Sequence, residues 1–116
     1  MLFKDMADKL TFLVQGSAQE PYEVSFLKHN DNLNAYCTCP AGVLGQFCKH
    51  KFNILEGSTK AVVSDNADDV EVVATWLAGS DVETALIALY EVQLELSKLK
   101  KMLSLARKEV ARVMRE

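Results

Sequence analysis

The sequence predicts an α+β fold in which a three-stranded antiparallel meander is followed by a helical half. Short runs rich in aromatic and β-branched residues fill the first third of the chain, and from Asn66 onward apolar residues recur with a helical period. With 116 residues, 49% of them hydrophobic and 25% charged, the chain can form one ordinary core. We divide it into a β-rich region, residues 1–60, and a helical hairpin, residues 61–116.

Three strands are predicted, over Leu10–Gly16, Tyr22–His29 and Leu33–Cys39. The turn-forming segments SAQEP and NDN separate them. Connections this short favour antiparallel neighbours, so we expect a meander. His29, next to the second turn, is expected at the surface.

Helical signals follow the strands. Lys49–Gly57 is predicted to be a short helix closed by its final glycine, and a polar connection leads to a second helix over Asn66–Ala78. Ser80 and Glu83 have the spacing of a capping box, which predicts the start of a long helix there. No Gly or Pro interrupts the sequence between that point and its end.

One segment, YCTCPAGVLGQFCKH over residues 36–50, holds all three cysteines and one of the two histidines. Side chains two apart on a strand share a face, so Cys37 and Cys39 can aim at one point. Residues two apart on a helix lie about 200° from each other, so we expect Cys48 just before the short helix and His50 in its first turn. The pattern predicts a closed tetrahedral Zn²⁺ site of structural rather than catalytic type.

Other interpretations of the cysteines are weaker. Three buried thiols beside a surface histidine would need no metal. An odd number of cysteines does not suit a disulfide framework, and no group marks an oriented Cys–His nucleophile. Because no Gly-rich phosphate loop, paired carboxylates or open metal site is present either, we predict that the protein is not an enzyme.

The segment CTCPAG…CKH, preceded by the predicted hairpin Tyr22–Tyr36, resembles the SWIM zinc finger, whose pattern is C-x-C, a variable gap and C-x-H. The resemblance covers about residues 22–57 and implies a ββα arrangement with zinc on Cys37, Cys39, Cys48 and His50. Many members carry Ala three residues after the histidine, where this chain has Asn53. Such fingers occur in helicase-like ATPases, transposases, ubiquitin-ligase-like proteins and recombination mediators, which implies a role in DNA recombination, repair or defence machinery.

The long helix carries an apolar seam that repeats every seven residues from Val82 to Val113. A helix over residues 81–116 would be about 54 Å long, whereas a globule of this size is about 30 Å across. We therefore expect a homodimer with a coiled-coil-like seam, and the alternative is that the seam folds back on its own domain. The candidate interface residues are Leu89, Val92, Leu96, Leu99, Leu103 and Val110.

The charge is uneven along the chain. The net charge of −3 combines −8 on residues 1–97 with +5 on residues 98–116. The basic residues of the long helix form one side of it, and that side is either a solvated surface or a nucleic-acid contact. The candidate contact residues are Lys98, Lys101, Lys108 and Arg112. Because the acidic part repels phosphate, we favour a protein partner over direct nucleic-acid binding. Trp76 could belong to the core or anchor such a partner.

The opening residues MLFKDMADKL mix acidic and basic side chains and contain no long apolar run. This composition is typical of neither a secretory signal nor a membrane anchor. We therefore expect a cytoplasmic protein that does not bind a membrane.

Overall fold

A computed structural model describes residues 8–115 and has the α+β architecture that the sequence predicts. Three strands form one antiparallel sheet in the order β1-β2-β3, and four helices follow. The elements are β1 Asp8–Val14, β2 Tyr22–His29, β3 Asn32–Cys37, α1 Pro40–Val43, α2 Lys49–Leu55, α3 Val70–Leu77 and α4 Asp81–Met114.

One face of the sheet forms the core. Strand alternation buries Phe12 of β1 and its register partner Val24 of β2, and the Phe12 ring meets Phe26 edge-on with centroids 6.1 Å apart. Helices α2 and α3 add further buried apolar side chains, including Ile54 and Val73. Trp76 is half-buried at the margin of this core, as in the core interpretation.

The hairpin between β2 and β3 turns at Asn30, whose φ of 55° is in the left-handed region that asparagine tolerates. His29 is exposed beside this turn, as predicted. The predicted strand ends were wrong by about two residues. β1 covers Asp8–Val14 rather than Leu10–Gly16, and β3 stops at Cys37 rather than Cys39.

The connection after α2 is more than a polar linker. It runs along the outer edge of β1, where the Gln15 N–H donates to the Ala61 carbonyl at 2.8 Å and the Val63 N–H donates to the Leu13 carbonyl at 2.8 Å. The Asn66 side-chain amide donates to the Thr11 carbonyl at 2.8 Å. The outer edge of β1 is therefore hydrogen-bonded rather than open.

The helix ends follow their capping residues. Gly57, with φ of 92°, closes α2 as predicted, and the Ser58 N–H donates to the Asn53 carbonyl at 2.9 Å. Ser80 caps α4 by accepting from the Glu83 N–H at 3.2 Å. The Glu83 carboxylate reaches back to the N–H of Gly79 at 2.9 Å, one residue before the N-cap, while the Ser80 N–H donates to the Leu77 carbonyl at 3.0 Å. The predicted cap is therefore present, with the return bond of the capping box shifted by one residue.

Helix α3 is shorter than the predicted Asn66–Ala78. A 3₁₀ turn over Ala67–Asp69 precedes it, and the α-helix begins at Val70. Asn66 is the N-cap of this turn, and its side chain is held by Ser64 and by the edge of β1.

The chain divides into two compact units, one ending at Glu83 and the other beginning at Thr84. The second unit is the remainder of α4, the long helix that the sequence predicts. Within residues 8–115, no single helix has the length and apolar composition of a membrane span. The helical segments Ala67–Leu77 and Asp81–Met114 meet those two criteria only when they are counted together as one bent pair.

Candidate metal centre

Cys37 and Cys39 are placed by the end of β3. Cys37 is the last residue of the strand and pairs with Val24 of β2. Beyond it, the Thr38 N–H donates to the Glu23 carbonyl at 3.1 Å, and the Thr38 hydroxyl accepts from the Glu23 N–H at 3.0 Å. These two bonds hold the chain beside β2 for one more residue, which fixes where Cys39 begins.

Cys39 is the N-cap of α1 rather than a strand residue. Its sulfur accepts a hydrogen bond from the Gly42 N–H at 3.2 Å, and Pro40 follows it as the first helical residue. The prediction that both sulfurs of the C-x-C pair face one point is confirmed. The second sulfur is aimed by a helix cap and not by strand alternation.

Gly42 is required by the space around the first pair. An added Cβ would lie 2.8 Å from the Cys37 Cβ and closer still to the Cys37 carbonyl oxygen. No larger residue fits without moving the backbone of a donor residue. This requirement comes from a contact between α1 and β3, so the sequence pattern did not identify it.

Cys48 and His50 are where the sequence places them. Cys48 is the N-cap of α2 with an extended backbone, and His50 is the second residue of the helix. The turn of backbone direction at Cys48 allows both side chains to face the C-x-C pair. All three cysteines are buried and belong to the hydrophobic core.

The four donor atoms converge. The sulfurs of Cys37, Cys39 and Cys48 and a ring nitrogen of His50 all lie within 4.8 Å of one another. The Sγ atoms of Cys39 and Cys48 are 3.4 Å apart, and His50 Nδ1 lies 3.5 Å from Cys48 Sγ and 3.7 Å from Cys37 Sγ.

These separations suit a tetrahedral ion. Zn²⁺ with sulfurs at about 2.3 Å and nitrogen at about 2.1 Å requires edges of about 3.8 Å between sulfurs and about 3.6 Å between sulfur and nitrogen. A disulfide would instead bring two sulfurs to about 2.05 Å, and all three thiols are free. The site is therefore compatible with zinc, and the soft donors favour that ion over Ca²⁺ or Mg²⁺.

The two thiols of the C-x-C pair have opposite tendencies to ionise. Burial raises the pKa of Cys37. Burial acts in the same direction on Cys39, but the Gly42 N–H and the neighbouring His50 and cysteine side chains together lower the pKa of that thiol. Cys39 is thus the readier thiolate, while Cys37 would need a cation to ionise.

The ring of His50 is oriented by packing. Its Nε2 atom is buried and has no hydrogen-bond partner among the residues that the structure describes. The Tyr22 ring lies against it, with centroids 5.0 Å apart. A Cβ at Gly16 would come within 2.6 Å of Tyr22 Cε2 and 3.0 Å of His50 Nε2, so Gly16 makes room for both rings. The sequence analysis placed Gly16 at the end of a predicted strand and did not identify this role.

The last residue of α1 and the loop that follows it expose an apolar loop patch, which we define as Val43, Leu44 and Phe47. Their exposed fractions are 73%, 71% and 68%. The exposed Lys49 follows the patch at the start of α2. The sequence analysis did not identify this patch, because it interpreted the segment as a turn. The three side chains are close in sequence and lie beside the buried donors.

The seam residues lie in a single row along α4. Leu89 is half-buried, and the other candidate interface residues are exposed in the single chain.

Among the candidate nucleic-acid residues, Lys98 lies 3.6 Å from Glu95, and Arg112 lies 2.7 Å from Glu109. Lys101 and Lys108 are exposed on the same helix. Pairing within the helix thus engages two of the four basic side chains.

Searches against protein-family models, curated proteins and solved structures returned no significant match to this chain. The resemblance to the SWIM finger therefore rests on the four donors and on the elements that hold them.

Proposed function

We propose that the protein is a non-enzymatic interaction module in which a structural Zn²⁺ fastens the hairpin β2–β3 to helix α2. The observation that carries the proposal is the convergence of three buried sulfurs and one imidazole nitrogen within 4.8 Å. Hairpin, donor loop and helix occur in the order of a SWIM finger, which supports assignment to that type.

The proposed role of the ion is to hold the fold. Four protein donors complete a tetrahedral shell and leave no position for substrate or activated water. The sulfurs also belong to the same buried cluster as Phe12 and Val73, so ion binding and core packing act on the same residues. A reducing cytoplasm would keep the thiols free to bind it.

The proposed partner is a protein, and the docking surface is the apolar loop patch. An exposed group of large apolar side chains is typical of a surface that another protein covers. The net charge of −8 on residues 1–97 opposes contact with nucleic acid, while Lys49 beside the patch favours a partner with apolar anchors and a carboxylate at the rim. Self-association through the seam of α4 completes the proposal.

The metal is tested by elemental analysis of protein purified under reducing conditions without chelator. We expect one zinc per chain and loss of that zinc in Cys48→Ser. Absence of stoichiometric metal would contradict the proposal.

The docking surface is tested by comparing two variants in a pull-down from the source cells. Leu44→Ser with Phe47→Ser should lose a partner that Val63→Ser retains, because Val63 is also exposed, at 55%, but lies outside the patch. Titration calorimetry with the purified partner should then show at least tenfold weaker binding to the double variant. Equal binding to both variants would exclude the patch.

A second candidate function, direct nucleic-acid binding, is favoured by the basic face of α4. A salt titration with duplex DNA, single-stranded DNA and RNA separates the two functions. Micromolar binding that falls steeply with salt, and that Lys101→Gln with Lys108→Gln weakens, would favour nucleic acid over a protein partner.

A further inference from the structure

Charge is polarised along α4. Residues 81–97 have four acidic and no basic side chains, whereas residues 98–114 have six basic and one acidic. Two copies of α4 aligned in parallel would place like charges beside each other along both halves. Two antiparallel copies would place the acidic half of each helix against the basic half of the other.

The sizes of the seam residues show the same preference. Ala85 and Ala106 are the small residues of the seam. In a parallel pair each alanine faces the same alanine of the second copy, which leaves two layers of the interface poorly filled by side chains. In an antiparallel pair that crosses between residues 97 and 98, each alanine faces a larger side chain of the second copy. The facing pairs then include Leu89 with Ala106, Leu96 with Leu99 and Val110 with Ala85.

We infer that, given the self-association proposed above, two copies of the chain pair through α4 in antiparallel orientation with the crossing point between residues 97 and 98. The partner of the exposed seam is thus a second copy, recognised by opposite charge along the helix and by large side chains packed on small ones. The seam residues Val92, Leu96 and Leu99, with exposed fractions of 65%, 50% and 58%, form the centre of this contact.

The interaction that would favour a parallel pair is weak. It would join Glu95 of one copy to Lys100 of the other across a solvent-exposed edge. The side chain of Glu95 already lies 3.6 Å from Lys98 of its own helix. Apart from Glu95 and Lys100, the charge polarity involves three acidic side chains before residue 98 and five basic ones after it, with Glu109 as the single exception, so it outweighs this one pair.

Antiparallel pairing has a geometric consequence. The two Thr84 positions would lie about 40 Å apart along the helix axis, at about 1.5 Å per residue. A molecule that binds both copies at once would have to present two sites at a matching separation.

Disulfide mapping in the full chain tests the orientation. The double variant A85C/V110C places one thiol in each half of the seam, about 38 Å apart within a single helix, so that no intrachain disulfide can form between them. After thiol exchange in glutathione buffer with zinc present, antiparallel pairing predicts a dominant disulfide between position 85 of one copy and position 110 of the other. Peptide mass spectrometry should find this product at least tenfold over the 85–85 and 110–110 products.

Two controls define the background. The unsubstituted chain reports disulfides formed by the donor cysteines, and K101C places a thiol on the side of α4 away from the seam, where neither orientation gives an efficient cross-link.

Sedimentation of the unsubstituted chain measures the association itself, and its dependence on salt concentration supplies a second readout. Between about 50 and about 500 mM NaCl the dissociation constant of an antiparallel dimer should rise about tenfold, because salt screens an attraction.

The outcomes separate this inference from the proposed function. A dimer that yields 85–85 and 110–110 disulfides and tightens with salt overturns the antiparallel orientation but leaves self-association intact. A monomer at all concentrations overturns both. A dimer with the 85–110 disulfide that weakens with salt supports both.

Discussion

The two units of the chain solve the problem of burying apolar side chains in different ways. Up to Glu83, side chains such as Phe12, Val24 and Val73 are completely buried within one core that also contains the cysteine sulfurs. From Glu91 to Arg115, by contrast, every residue is exposed, including large apolar side chains on several faces of α4. The first unit therefore buries its large apolar side chains among its own residues, whereas the second leaves them exposed, which is typical of a surface that binds another molecule.

The largest expected effect is on the first unit. Cys48→Ser or His50→Gln should abolish its cooperative unfolding, because metal binding contributes about 10 kcal/mol or more to folding in small zinc modules. The fluorescence of Trp76, the single tryptophan, reports this unit without interference from α4. His29→Gln is the matched control, since His29 is exposed and lies outside the cluster. A native melting temperature for Cys48→Ser would contradict the contribution of the ion.

The next effect concerns the second unit alone. Leu96→Asp with Leu103→Asp places charge in the seam and should convert the proposed dimer to a monomer in sedimentation. Leu94→Asp with Leu105→Asp alters side chains that are 63% and 65% exposed off the seam and should leave the mass unchanged. The Trp76 melting transition should be the same in both variants. An unaltered mass for the first variant would show that the seam is not the interface.

A smaller effect is expected from Gly42→Ala. The added methyl group has no room beside Cys37 and should destabilise the first unit by about 1–3 kcal/mol, with weaker zinc binding measured by competition with a chelator. Gly45→Ala is the control because its Cβ meets nothing, although its φ of 72° costs about 1 kcal/mol for alanine. Equal zinc affinities for the two variants would show that the contact between residue 42 and Cys37 does not weaken metal binding.

The smallest effect is electrostatic and lies near the end of α4. Hydrogen bonds from Arg112 lower the pKa of Glu109 in the folded chain. The pair therefore stabilises the helix at any pH above the pKa that this carboxyl has in the unfolded chain. That contribution is lost as the pH falls through the lower pKa of the folded chain. Arg112→Gln should raise the pKa of Glu109 in an NMR titration, and Lys108→Gln should not. Both carboxylate and guanidinium are exposed, so no measurable change in unfolding is expected.

The sequence was sufficient to predict the three strands, the helices α2, α3 and α4 to within a few residues, and the donor set, but it did not predict α1. Runs rich in aromatic and β-branched residues between turn-forming segments predicted the strands. The i, i+2 spacing of Cys48 and His50 on either side of a helix start predicted where those two side chains would meet the C-x-C pair. These features depend on the geometry of single elements. They can therefore be predicted without knowing how the elements pack together.

Features that depend on contacts between elements were missed. β3 ends early because Cys39 caps α1, and α3 starts late because Asn66 is bonded to the edge of β1. The room that Gly16 and Gly42 leave around the donors, and the exposure of Phe47, likewise arise from tertiary packing. None of these changes the local pattern of apolar and polar residues.

The covering of the β1 edge by residues 61–66 bears on how the protein can be shortened. A fragment that stops at Gly57 keeps all four donors, yet it loses the carbonyl of Ala61 and the N–H of Val63 that occupy this edge. Such a fragment would present a bare strand to its neighbours in solution and would be prone to add strands from other molecules, with growth into aggregates. A shortened version of the unit that carries the four donors should therefore retain residues 61–66 to protect the edge of β1 from aggregation.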